Sequence, residues 1–207
     1  MNSELIKKIQ AIPGVALVAV SKKHTKEEVD EMAKLGVDTF GENRVQEFLE
    51  KYDPAYYWHI IGHLQTNKVK YIIGKVDLIE SVDSLRLAKE IEKQAAKAGL
   101  IQDILVEIKV SKTDENKTGL PEEQLKELLD EIAEMPHLRL RGLMTIATQT
   151  DDQALLAEEF DHMKDLFDQV QKDFKDADIL SMGMSGDYEL AIAHGSNQVR
   201  IGTALFG

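Results

Sequence analysis

The sequence predicts a single-domain α/β protein, residues 1–207, folded as a (β/α)8 barrel, and three observations lead there. Eight short apolar runs bounded by turn or polar residues read as strands. Segments whose apolar positions recur three and four residues apart separate them and read as helices. The 207 residues suit one hydrophobic core and sit at the short end of the barrel's range of roughly 200 to over 400 residues. A doubly wound open sheet shares this alternation and is the alternative. No internal repeat points to a solenoid.

In chain order, the first strand is the run Val15-Ala16-Leu17-Val18-Ala19-Val20. Thr25, with Glu28 three residues on, opens a helix over 26–35 as a capping box, and Gly36 follows it. A strand over 37–40, a helix over 43–51 and strands over 57–61 and 77–80 come next. A helix over 84–98 ends before Gly99, and a strand spans 103–110. Pro121 opens the helix at 122–133, where its missing N–H is tolerated, and Leu125, Leu128, Leu129 and Ile132 form its apolar face. A strand over 138–146, a helix over 153–173, a strand over 178–182, a short helix to about Ala193 and a strand over 198–201 complete the alternation.

Composition narrows the function. The net charge of −12 argues against a nucleic-acid binder, whose affinity rests on Lys and Arg neutralising phosphates. Without cysteine there is neither a disulfide framework nor thiolate chemistry, which fits a reducing cytoplasm. Residues 1–10 carry Glu4, Lys7 and Lys8 and lack the apolar stretch of a signal peptide or membrane span, so no membrane association is expected.

A barrel places its chemistry at the C-terminal ends of the strands, with a phosphate near the loops after strands seven and eight. Lys22 stands at the end of the first strand, where a primary amine can act as a Schiff-base nucleophile; a solvated lysine that ends a strand is the plainer reading. Lys23 is a rival amine, and strand alternation is expected to turn one of the pair into the mouth. After strand seven, Ser181-Met182-Gly183-Met184-Ser185-Gly186-Asp187 feeds a helix start that favours an anion, although Ser185 or Asp187 acting as an N-cap explains it equally. Arg200 alternates with Val199 and Ile201, so it points inward and needs a partner. Asn43 is expected at a helix N-cap and at the mouth. His59 and His63 are four apart, but on a strand and turn without cysteine this spacing does not make a zinc site. Asp114-Glu115-Asn116-Lys117-Thr118-Gly119 reads as a polar loop, since its spacing is wrong for a calcium loop. Nucleotide-binding glycine motifs and a Gly-x-Ser-x-Gly elbow are missing.

Taken in order, Ala19-Val20-Ser21-Lys22, Phe40-Gly41-Glu42-Asn43, Trp58-His59 through Lys68, Arg141-Gly142-Leu143-Met144, Met182-Gly183-Met184-Ser185 and Val199-Arg200-Ile201-Gly202-Thr203 closely resemble the pyridoxal phosphate homeostasis protein family. That family is a single-domain barrel related to the N-terminal domain of alanine racemase. The resemblance implies that Lys22 forms an internal aldimine with pyridoxal 5′-phosphate (PLP). It implies that Ser185, Gly202 and Thr203, beside Met184, hold the phosphate, that Arg200 faces the pyridine nitrogen, and that Asn43 and His59 line the pocket. Two details depart from the commonest pattern: Lys23-His24-Thr25 follows Lys22, and the sequence stops after Phe206-Gly207, without the β domain that supplies a tyrosine base in the racemases.

The expected function is non-catalytic PLP binding in intracellular PLP homeostasis. The cofactor is the small-molecule partner, PLP-dependent apo-enzymes are the expected recipients, and the chain is expected to act as a monomer. The alternative is a PLP-dependent amino-acid racemase using Lys22 with His59 or Tyr188 as the second base. A cofactor-free phosphate-ester isomerase or aldolase is a third reading, with Glu80 and Glu107 near its strands. Lys68 or Lys117 could offer a second, transient PLP site.

Overall fold

Among the described residues the strands are β1 (Ala16–Val20), β2 (Thr39–Glu42), β3 (Tyr57–Ile60), β4 (Leu78–Val82), β5 (Gln102–Ile108), β6 (Leu138–Thr145), β7 (Ile179–Ser181) and β8 (Gln198–Ile201). All neighbours pair in parallel and in chain order, and Ala16–Ala19 of β1 pair with Gln198–Ile201 of β8, which closes the sheet. The open-sheet alternative falls on that pairing. The computed structural model describes residues 1–111 and 118–207. The segment Asp114 to Lys117, including Lys117 as a possible second PLP site, lies outside the described residues.

The helices are α1 (Ser3–Gln10), α2 (Lys26–Lys34), α3 (Val45–Lys51), α4 (Leu85–Ala98), α5 (Leu125–Ala133), α6 (Gln153–Asp173), α7 (Tyr188–Ala193) and α8 (Thr203–Phe206). The capping box forms as predicted: Glu28 N donates to Thr25 Oγ1 at 3.3 Å and Thr25 N to Glu28 Oε2 at 2.7 Å. One N-cap is corrected. Arg44, still extended at φ −123° and ψ 134°, is the cap of α3, so Asn43 lies one residue before it and caps nothing. The crossover from β3 to β4 is a 3₁₀ helix, Thr66–Tyr71, in which Val69 supplies the buried anchor; the sequence reading assigned it no element.

Two periodicities divide the core. Leu17, Ala19, Phe40, Trp58, Ile60, Val106, Val199 and Ile201 point outward and pack under Ile6, Val29, Phe48, Ile91 and Phe160 of the helices. A Trp58–Phe40 pair with ring centroids 5.6 Å apart and an edge-on Phe48–Trp58 pair at 5.5 Å add about 1 kcal/mol each beyond area burial. Inside the barrel Leu78, Leu105 and Met144, with Ile146 and Ile179, form a separate apolar plug. Two residues further toward the mouth the same strands turn polar: Leu78 gives way to Glu80, Leu105 to Glu107 and Ile179 to Ser181. Beside the plug, Gly142 at φ 140° allows β6 to touch β7, because a Cβ there would lie 1.8 Å from the Ile179 carbonyl oxygen.

Candidate functional site

The polar layer above the plug is one connected network. Glu80 of β4 is fully buried and gathers His59 Nδ1 of β3 at 2.7 Å, Gln198 Nε2 of β8 at 2.8 Å and the Ser181 hydroxyl of β7 at 2.6 Å. Arg200 in turn donates through Nη1 to Ser181 Oγ at 2.6 Å and through Nη2 to the Thr145 carbonyl at 2.8 Å. Burial pushes the Glu80 carboxyl up, but the His59 hydrogen bond and the His59 and Arg200 charges, with Ser181, hold it below its ordinary value. Burial pulls the Arg200 guanidinium down, against the charges of Glu80, Glu107 and Asp187. Arg200 therefore points inward as alternation predicts, and it reaches the carboxylate through Ser181 and not directly. Glu107, on β5, is 1% exposed; it accepts from Thr118 Oγ1 at 2.8 Å while its second oxygen has no partner among the described residues, and burial pushes its carboxyl up.

Lys22 sits on a turn and not on a strand. β1 ends at Val20, and His24 N donates to Ser21 O at 3.0 Å, which makes Lys22 and Lys23 the two central residues of the turn. Strand alternation thus does not choose between the two lysines. Lys23 takes a left-handed φ of 66° and its N–H is held by Glu47 Oε2 at 2.8 Å. The Lys22 side chain is exposed and has no ion-pair partner among the described residues. The turn is anchored from below by a buried clamp. Lys51 Nζ donates to Ser21 O at 2.7 Å and to Glu42 Oε1 at 2.6 Å, and Ser21 Oγ donates to the same Glu42 oxygen at 2.6 Å. Burial pushes the Glu42 carboxyl up, with the Lys51 and Ser21 hydrogen bonds opposing.

The loops after β7 and β8 meet as the barrel predicts. Ser185 Oγ accepts from Ala204 N, in the first turn of α8, at 3.4 Å, which brings Ser185 beside Gly202 and Thr203. Gly202 lies against the inward-facing Val20, where an added Cβ would come 3.3 Å from Val20 Cβ and narrow the cup. Asp187 precedes α7 but makes no side-chain cap bond; its Oδ1 accepts from Met184 N at 2.6 Å and folds the turn on which the exposed Met184 sits. His24 stacks on Phe206 with centroids 4.0 Å apart, tying the Lys22 turn to α8.

Of the predicted residues, the network joins His59 to Arg200, and the cup joins Ser185 to Thr203. Asn43 lines a rim cavity of about 500 Å³ with Arg44, His63, Gln65 and Lys68. The two histidines take separate partners, since His63 Nδ1 lies 3.4 Å from Asp83. Tyr188 packs in the outer core with its hydroxyl 3.2 Å from Glu189, so it is not a base at the mouth. Sequence reasoning missed Ser181, Gln198, Thr145, Glu42 and Lys51 as site-building residues. A signal did exist for Glu80, a charge inside the buried run Leu78-Ile79-Glu80-Ser81-Val82.

With an amine on the turn after β1, a buried guanidinium on β8 and the last two loops in contact, the closed barrel is of the alanine racemase N-terminal class; the family described as "Alanine racemase, N-terminal domain" matches residues 2–207. Within that class the chain belongs to the pyridoxal phosphate homeostasis protein family. It is 45% identical over 196 residues to the pyridoxal phosphate homeostasis protein of Aquifex aeolicus, covering 92% of this chain and 86% of that one. PipY of Synechococcus elongatus superposes with a TM-score of 0.92 without PLP, at 33% identity over all of both chains. With PLP bound PipY gives 0.90, at 32% identity over 99% of this chain and 98% of that one. An alanine racemase of Clostridium difficile, 19% identical, shares the fold at a TM-score of 0.77 over 99% of this chain and 55% of that one.

Two predictions follow from these contacts. Glu80 is held ionised, so its stabilising contribution is present above the ordinary carboxylate range and is lost as pH falls through its depressed folded value. Glu80→Gln is expected to cost about 3 kcal/mol at neutral pH by leaving its partners unmatched; in urea melts at stepped pH the gap from wild type should close on acidification, and a pH-independent gap would refute the assignment. Lys51→Met alone is expected to destabilise by roughly 3 kcal/mol, whereas Glu42→Gln combined with Lys51→Met should recover most of that, because no buried charge is then left unpaired. Equal losses in single and double variants would mean the clamp acts through packing.

Proposed function

We propose that this chain binds pyridoxal 5′-phosphate at the barrel mouth and holds it as a cellular reserve without catalysing a reaction on it. The observation that carries the reading is an exposed Lys22, without an ion-pair partner among the described residues, on the turn after β1 at the same end of the barrel as the β7 and β8 loops that bring Ser185 beside Thr203. In this reading Lys22 bonds the aldehyde carbon, Ser185, Gly202 and Thr203 with the adjacent Met184 turn hold the phosphate, Arg200 faces the ring nitrogen, and Asn43 and His59 border the pocket. The cofactor, when bound, supplies an electrophilic aldehyde on an electron-withdrawing ring. Arg200 stays cationic, so beside the ring nitrogen it opposes protonation there and weakens the ring as an electron sink. His59, 7% exposed and committed to Glu80, is poorly placed to move a proton to a substrate.

Delivery to PLP-dependent apo-enzymes extends this role, and the lack of cysteine fits work in a reducing cytoplasm. Among the described residues no helix is long and apolar enough to cross a membrane.

Incubation with PLP, borohydride reduction and peptide mass spectrometry should yield one stoichiometric pyridoxyl group on Lys22, lost in Lys22→Ala. Modification spread over many lysines, or centred on Lys23, would sink the assignment. The non-catalytic half is tested separately: amino acids incubated with the loaded protein in deuterium oxide are expected to gain no deuterium at Cα. Steady, Lys22-dependent exchange would establish the racemase alternative.

A further inference from the structure

The rim cavity beside Asn43 is unusual for so acidic a chain. The protein carries 37 Asp and Glu against 25 Lys and Arg, yet no carboxylate lines this cavity. Four other surface cavities of similar size each include at least one Asp or Glu. Its walls carry Arg44 and Lys68, neither with an ion-pair partner among the described residues, and the amides of Asn43 and Gln65. Some cations elsewhere are neutralised in place, as Lys126 is by Asp130 at 2.6 Å and Arg139 by Asp103 at 2.6 Å; what sets Arg44 and Lys68 apart is that they share a cavity that no carboxylate lines. Lys68 is half-buried, with Nζ 5.8 Å from the centre of the Tyr71 ring, so a flat apolar surface stands next to the charge. His63 adds a ring whose Nδ1 side is turned toward Asp83.

Two cations without an ion-pair partner among the described residues, on one cavity of about 500 Å³, favour a bound anion that supplies the opposite charge. Carboxamides supply further donors, and the volume suits a small organic molecule and exceeds what a lone ion needs. We propose that this cavity is a second anion site, distinct from the Ser185–Thr203 cup, which binds a small phosphate monoester with Arg44 and Lys68 on the phosphate and Tyr71 against its organic body. Two sources share that chemistry: a further molecule of the cofactor itself, or another cellular organophosphate. The site is built by the loops after β2 and β3, whereas the cup is built by those after β7 and β8, so both can be filled together.

The test first fills the cup by reducing PLP onto Lys22, a step that rests on the function proposed above. Equilibrium dialysis of this loaded protein against inorganic phosphate should show further binding that weakens as salt rises. Arg44→Gln combined with Lys68→Met should lower that affinity about tenfold or more while leaving the Lys22 adduct and the melting temperature unchanged. No further binding, or equal binding by wild type and double variant, overturns the site. Dialysis of the loaded protein against PLP, read by absorbance, separates the sources. A second, non-covalent PLP per chain that the Arg44→Gln/Lys68→Met variant does not retain marks a further cofactor molecule, and phosphate binding without retained PLP marks another organophosphate. Should no Lys22 adduct form at the outset, the proposed function falls, and the same comparison on the untreated chain still decides the anion site.

Discussion

The buried carboxylate of Glu80 is the constraint around which the mouth is organised. A carboxylate taken out of water costs several kcal/mol unless its lone pairs are matched. Here three side chains from three other strands match them, and one of these, Ser181, passes the connection to Arg200. The guanidinium faces the same requirement with opposite sign. Each charge makes the other tolerable, and together they fix the inner faces of β3, β4, β7 and β8 relative to one another. An apolar barrel interior would pack as well, but it would leave no oriented cation beneath the mouth.

The clamp under Lys22 solves a different problem. A lysine that bonds a ligand, the role proposed for Lys22, must stay unpaired, yet the backbone that carries it must not drift. The structure meets both needs by fixing the turn through its neighbours: Ser21 through Lys51 and Glu42, and Lys23 through Glu47. His24 extends the bracing to α8 by stacking on Phe206. Glu42, at the end of β2, leads directly into the Asn43–Arg44 rim, so the Lys22 turn and the acid-free cavity share one support.

Much of this architecture is legible in local chemistry. Apolar runs of strand length, the Thr25–Glu28 capping box and the period of 122–133 each report a backbone state that nearby residues decide, and the inward direction of Arg200 follows from the period of two alone. The reading failed where local signals were ambiguous. Asn43 is a good N-cap residue that the chain does not use, because the backbone stays extended through Arg44. Alternation ends at Val20, because the left-handed Lys23 belongs to a turn that breaks the period.

Local sequence settles the alternation of strands and helices, the amine that follows the first strand and the inward direction of Arg200. Tertiary structure alone decided which polar groups meet. Ser181 lies 101 residues and Gln198 118 residues along the chain from Glu80, and no periodicity spans such separations. They become neighbours only because β8 pairs with β1 and closes the sheet, bringing inner faces from opposite ends of the chain into one dry space where each buried charge must find its partner.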